Sequence, residues 1–162
     1  MPSPFQYPTL HTKEVSMVRL LSNHSENTKR FLDHVRETLE QHRVKLNLTT
    51  GRRVRHKDGD LCAGFFYEPS AGKWGEIRIA TGRKRPSTIL AVLAHEYVHF
   101  LQWKKGDKVY TDARVEYIEL EKHTEEKAIR LLKEWNVPLN YRAVKQRSQA
   151  YLTYLIKNSI TG

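Results

Sequence analysis

From Ile89 to about Trp103 the residues are nearly all good helix formers or bulky apolar groups, and Pro86-Ser87-Thr88 before them has the chemistry of a helix start. A helix this apolar has to be buried, so the rest of the fold must be built round it. It nevertheless carries His95, Glu96 and His99 in its middle. At about 100° per residue the two histidines stand about 40° apart round the axis, so both imidazoles leave one face and can bind one tetrahedral ion. Glu96 lies beside them, where a carboxylate can take a proton from metal-activated water and pass it to a leaving group. Leu90, Leu93, Tyr97 and Leu101 occupy the opposite face and anchor the helix. With 8 histidines in 162 residues, a His-Glu-x-x-His match arises by chance about three times in a hundred chains of this composition. The competing explanation is two core histidines satisfied by hydrogen bonds.

The flanking patterns predict an α+β domain. Residues 1–22 hold three prolines and little periodicity and predict an extended arm, followed by a single domain over 23–162. Phe31, Val35 and Leu39 mark the stripe of a helix over about 25–42, with capping residues at Asn23 to Ser25. From Val44 to Thr49 apolar and polar residues alternate, which is the period of a strand. Leu61 to Tyr67 and Gly75 to Ala80 predict two more, giving a small mixed or antiparallel sheet of about three strands. A helix over about 113–135 ends at Asn136-Val-Pro138, and a last helix covers about 140–158.

A catalytic zinc site takes three protein ligands, and the helix over 113–135 is the place to seek the third. Tyr117, Glu121, Thr124, Glu125, Ala128, Leu131, Leu132 and Trp135 fall along one line of it, so two carboxylates face the core. Acidic groups are almost never buried unless paired or metal-bound. Either Glu121 or Glu125 can then be the third ligand, with the other bonding a ligand histidine; the alternative is that both reach water at the helix's N-terminal end. His123 and Glu126 point outward. Tyr141, Tyr151 and Tyr154 are possible phenol donors, but tyrosines at helical spacing are more often core, and no oxyanion-stabilising residue is assigned.

His95-Glu-Tyr-Val-His99 after the strand Gly-Glu-Ile-Arg-Ile-Ala, together with Glu125-Glu-Lys-Ala128 and the residues on to Pro138, resembles the ImmA/IrrE group of zincin-like metallopeptidases of phages and mobile elements. The resemblance spans about residues 75–138. It implies a minimal zincin-like fold and a gluzincin-like ligand set in which Glu125, from the Glu-x-x-Ala segment, joins His95 and His99 on Zn2+. It also implies hydrolysis of a protein or peptide substrate with Glu96 as general base and then acid. Val98 stands where that group often has glycine. A weaker resemblance, to Spartan/SprT-like proteases, would instead make His123 the third ligand. An extended peptide is expected to pair with Gly75–Ala80 as an edge strand.

The single cysteine, Cys62, excludes an intramolecular disulfide and a Cys-rich structural zinc site, and fits a reducing cytoplasm. Neither a secretory leader nor an apolar run of membrane-spanning length is present, so a cytoplasmic protein without membrane partners is expected. The net charge of +10 favours polyanions. Its clusters are Arg52, Arg53, Arg55 and Lys57; Arg83, Lys84 and Arg85; and Arg142, Lys145 and Arg147. They permit a second reading, a basic nucleic-acid-binding or regulatory protein on a zincin scaffold with little or no catalysis; solvated surface charge is the plainer explanation.

Overall fold

A computed structural model describes residues 25–111 and 116–161. The expected arm over 1–22 lies outside the described residues. Ser25 caps the first helix, α1 (Glu26–Gln41), by accepting the Thr28 N–H at 3.0 Å, and turns Phe31, Leu32, Val35 and Leu39 inward. Two residues later the chain becomes strand β1 (Val44–Thr49). A short hairpin of β2 (Val54–Arg55) and β3 (Leu61–Cys62) follows, then β4 (Gly64–Tyr67) and β5 (Gly75–Ala80).

The sheet is mixed, in the order β1-β5-β4. β1 runs parallel to β5 in the register Val44↔Gly75 to Thr49↔Ala80, and β4 is antiparallel to β5. β5 is therefore the central strand, and the expectation that it offers an edge is corrected: the edges of this sheet are β1 and β4. Ile77 and Ile79 on one face and Ala80 on the other are fully buried, as suits a strand with a partner on each side. The continuous strand expected over Leu61–Tyr67 divides at Ala63. A Cβ on Gly64 would lie 2.8 Å from Ile79 Cδ1 and 3.1 Å from Val92 Cγ1, so β4 approaches both the central strand and the helix above it at a position where a side chain has no room. Phe65 and Ala80 face the other way and pack with Val54 beneath the hairpin.

Helix α2 (Pro86–Lys105) has proline in its first turn and ends at Gly106, whose φ of 63° closes the helix in the left-handed conformation. Leu90, Leu93, Tyr97 and Phe100 join α1 and β5 in one core. A short helix α3 (Lys108–Thr111) stands where only a connector was expected. Helix α4 (Tyr117–Glu134) packs along α2 through Ala128 and Leu132, and stops where Asn136 turns left-handed and the Val137 N–H reaches the Leu132 carbonyl at 3.0 Å. Its buried positions are Glu121, Thr124, Ala128, Ile129 and Leu132. Tyr117, expected on that stripe, is 60% exposed. Helix α5 (Tyr141–Thr161) packs against α4. No helix among the described residues is long and apolar enough to cross a membrane.

Leu93 is fully buried where α2 meets the core. Leu93→Ala is expected to lower the unfolding free energy by about 2–5 kcal/mol, read by urea denaturation in EDTA. A loss under 1 kcal/mol would contradict this packing.

Candidate metal centre

His95, Glu96 and His99 are no more than 9% exposed, so three polar side chains leave water on a helix chosen for its apolarity. Each must find a partner inside the protein. For the histidines the partners come mainly from α4, one turn of which carries Glu121, Thr124 and Glu125.

Glu121 lies against both imidazoles. Its Oε2 is 2.9 Å from His95 Nε2, its Oε1 is 3.2 Å from His99 Nε2, and the two Nε2 atoms are 3.2 Å apart. Donors on an ion with bonds of about 2.0 Å in tetrahedral geometry stand about 3.3 Å from one another. The two imidazole nitrogens already stand at about that spacing, and with one Glu121 oxygen they form a trio whose ligand atoms lie within 4.8 Å of one another. The same trio is the group of metal-capable side chains that converges among the described residues.

The opposite nitrogens explain why the Nε2 atoms face each other. The Glu125 carboxylate can only accept, and its Oε1 lies 2.9 Å from His95 Nδ1, so that nitrogen carries the proton. For His99 the constraint arrives through a chain. The Thr124 hydroxyl donates to the Leu120 carbonyl at 2.8 Å, and its oxygen is then open to the Gln102 amide N–H at 3.1 Å. This turns the Gln102 Oε1 toward His99 Nδ1, 3.1 Å away. Both neutral rings are held with Nδ1 protonated and with the Nε2 lone pairs directed into the same space. Two lone pairs beside a carboxylate repel unless a cation lies between them, and that cation is either a proton or a metal. The donor set of two imidazoles and one carboxylate fits zinc.

The two candidate third ligands take different places beside the imidazoles. Glu121, the alternative, occupies the position facing both Nε2 atoms, whereas Glu125, favoured by the resemblance, lies behind His95 on its other nitrogen. One turn of helix separates the two roles, and spacing along α4 does not distinguish them. His123 lies outside the group, and its Nε2 is buried without a hydrogen-bond partner among the described residues. Gln102 and Thr124 were not read from the sequence as members of the site. The available signal was a polar Gln102 three residues past His99 on the same helix face.

Charge follows this geometry. Burial works against charge on His95, but its hydrogen bonds to Glu121 and Glu125 and the nearby Glu96 outweigh it and raise its pKa well above the ordinary 6.5. Burial pushes Glu121 up, yet the two histidines overcome this and hold its carboxyl well below the usual range. Glu96 is raised by burial, against the opposing effect of the two histidines. The Tyr151 hydroxyl donates to Glu121 Oε2 at 3.1 Å, and burial followed by the Glu121 charge keeps that phenol protonated. Tyr151 thus belongs to the site, although its helical spacing alone suggested core. The Cys62 thiol is also raised, first by burial and then by Glu96, which places β3 beside this cleft.

No protein-family model, curated protein or solved structure matches the chain. The likeness to zincin-like peptidases rests on the motif residues alone.

Two outcomes follow. Glu121→Ala is expected to abolish stoichiometric zinc binding, while Glu125→Ala and Gln102→Leu weaken it by about 10–100-fold, measured by competition with a chromophoric chelator. Equal retention of zinc in Glu121→Ala and wild type would exclude Glu121 as a ligand. In the metal-free protein the raised His95 stabilises fully below its unfolded value near 6.5, and this is lost as pH rises through its folded value; the depressed Glu121 stabilises above about 4.5, and this is lost as pH falls through its folded value. Zinc must displace the His95 proton, so its affinity should rise about tenfold per pH unit where one proton is released. The gain in Tm on adding zinc should accordingly grow from pH 5.5 to 8, and a gain independent of pH would contradict the proton competition.

Proposed function

We propose that the protein is a zinc-dependent peptidase in which His95, His99 and Glu121 hold the metal and Glu96 transfers the proton. The observation that carries this reading is the pair of imidazoles whose Nδ1 atoms are fixed by acceptors, so that both Nε2 atoms face one carboxylate. A structural zinc site usually closes its fourth position with another protein ligand, commonly Cys. Cys62, near Glu96, is held as a thiol, and among the described residues the converging set holds three side chains. When bound, zinc supplies Lewis-acid charge and makes water acidic enough to attack near neutral pH.

The remaining steps belong to the chain. Glu96 sits one residue from His95 on the same helix, and burial raises its pKa toward the range in which a carboxylate exchanges protons efficiently. It takes a proton from the attacking water as the new C–O bond forms, and returns it to the amine nitrogen as the C–N bond breaks. Gln102 and Glu125 keep the two imidazoles from turning during this cycle. Tyr151 holds Glu121 from the α5 side. An extended substrate would add to the sheet at β4, the edge next to α2, with its backbone groups paired and its scissile bond directed at the cleft.

Glu96→Gln should retain one zinc per chain and lose about 10²–10⁴-fold in hydrolysis of an unstructured protein substrate such as casein, followed by release of fluorescent fragments. Unchanged hydrolysis by that variant would remove Glu96 from the chemistry. Absence of hydrolysis by the zinc-loaded wild type across a broad set of unstructured substrates would count against the peptidase reading.

A further inference from the structure

Away from the cleft, a dense group of cations lies where β1 and β5 end together. The two strands run parallel, so the loops that leave them emerge side by side. Backbone bonds join these loops: the Thr81 N–H reaches the Thr49 carbonyl at 2.9 Å and the Gly82 N–H the Gly51 carbonyl at 2.8 Å. The approach is so close that a Cβ on Gly82 would lie 2.5 Å from the Thr50 oxygen. Lys84 Nζ donates across the junction to the Arg52 carbonyl at 2.6 Å. Arg52 and Arg53 are thereby fixed beside Arg83, Lys84 and Arg85, and the four arginines are exposed.

Like charges held this close repel. Among the described residues none of the five forms an ion pair. The Lys84 ammonium is lowered by burial and then by Arg53, a sign that this repulsion is felt. Arg55, part of the same run in the sequence, is directed elsewhere and donates to the Gly59 carbonyl within the β2–β3 hairpin. We propose that the joined β1–β2 and β5–α2 loops form a docking surface for a nucleic-acid phosphate backbone, with Arg52, Arg53, Arg83 and Arg85 contacting successive phosphates. Four of the five cations are arginine, whose planar fork matches phosphate oxygens in pairs. Val54, the apolar residue adjoining Arg53, is buried rather than offered for insertion into lipid, which favours nucleic acid over an anionic membrane. The proposal stands on these loops and is independent of the metal reading.

The test uses the full chain and a fluorescein-labelled 20-base-pair DNA duplex, with anisotropy titrations between 50 and 200 mM salt, in about the range where phosphate contacts dominate. Arg53→Glu/Arg83→Glu should weaken binding by at least about tenfold and flatten the salt slope by about two counterions. Lys122→Glu/Lys133→Glu, on the groove between α4 and α5, makes the same change in net charge and should stay within about threefold of wild type. Arg53→Ala/Arg83→Ala gives a milder loss of the same sign and guards against misfolding of the charge-reversed protein, with circular dichroism as the check. No duplex binding by wild type at 50 mM salt, or equal losses in the patch and groove variants, would overturn the proposal. So would patch-dependent binding of phosphatidylserine vesicles without binding of the duplex.

Discussion

Burial of His95, Glu96 and His99 is the constraint on which the arrangement of the helices depends. An isolated imidazole or carboxylate inside an apolar core costs several kcal/mol, so an α2 packed only against hydrophobic neighbours would be unstable. Stability returns only when α4 crosses it with Glu121, Thr124 and Glu125 at the level of the histidines. The apolar contacts of Ala128 and Leu132 hold α4 in that register. Packing and polar pairing thus specify one alignment of the two helices, and a shift by one turn would leave several buried groups without partners.

The sheet contributes by placing α2. A parallel pair needs a crossover, and here the crossover from β1 to β5 contains the β2–β3 hairpin and β4. The chain then leaves β5 at the centre of the sheet and enters α2 after the short loop over residues 81–85. The central strand is paired on both sides, so the helix that carries His95, Glu96 and His99 starts from the strand with the most ladder partners. The same exit brings the two basic loops together, which sets the charged surface and the cleft at different levels of one helix: Arg85 precedes α2, and His95 is about 15 Å along it.

Helices and their ends were largely legible in the sequence, because capping and periodicity are local. Ser25, Pro86, Gly106 and Asn136 each act within a turn of the residues they terminate. Pairing was less so. Val54–Arg55 is too short to show a period, and the break at Ala63 depends on Val92 and Ile79, which are distant in sequence. The His95–Glu96–His99 constellation was legible because one helix supplies all three. The different places of Glu121 and Glu125 depend on the crossing of two helices, since both carboxylates lie on the inward stripe and differ in which imidazole nitrogen they meet. The link between Gln102 and Thr124 was not legible for a related reason: each is an ordinary polar residue until the other is placed opposite it.

X-ray absorption at the zinc K edge, on protein loaded with one equivalent of zinc, tests the centre most directly. The account predicts a first shell of nitrogen and oxygen only, at about 2.0–2.1 Å, with the outer-shell pattern of two imidazoles. A sulfur scatterer at about 2.3 Å, or a shell without imidazole, would contradict the centre formed by His95, His99 and Glu121.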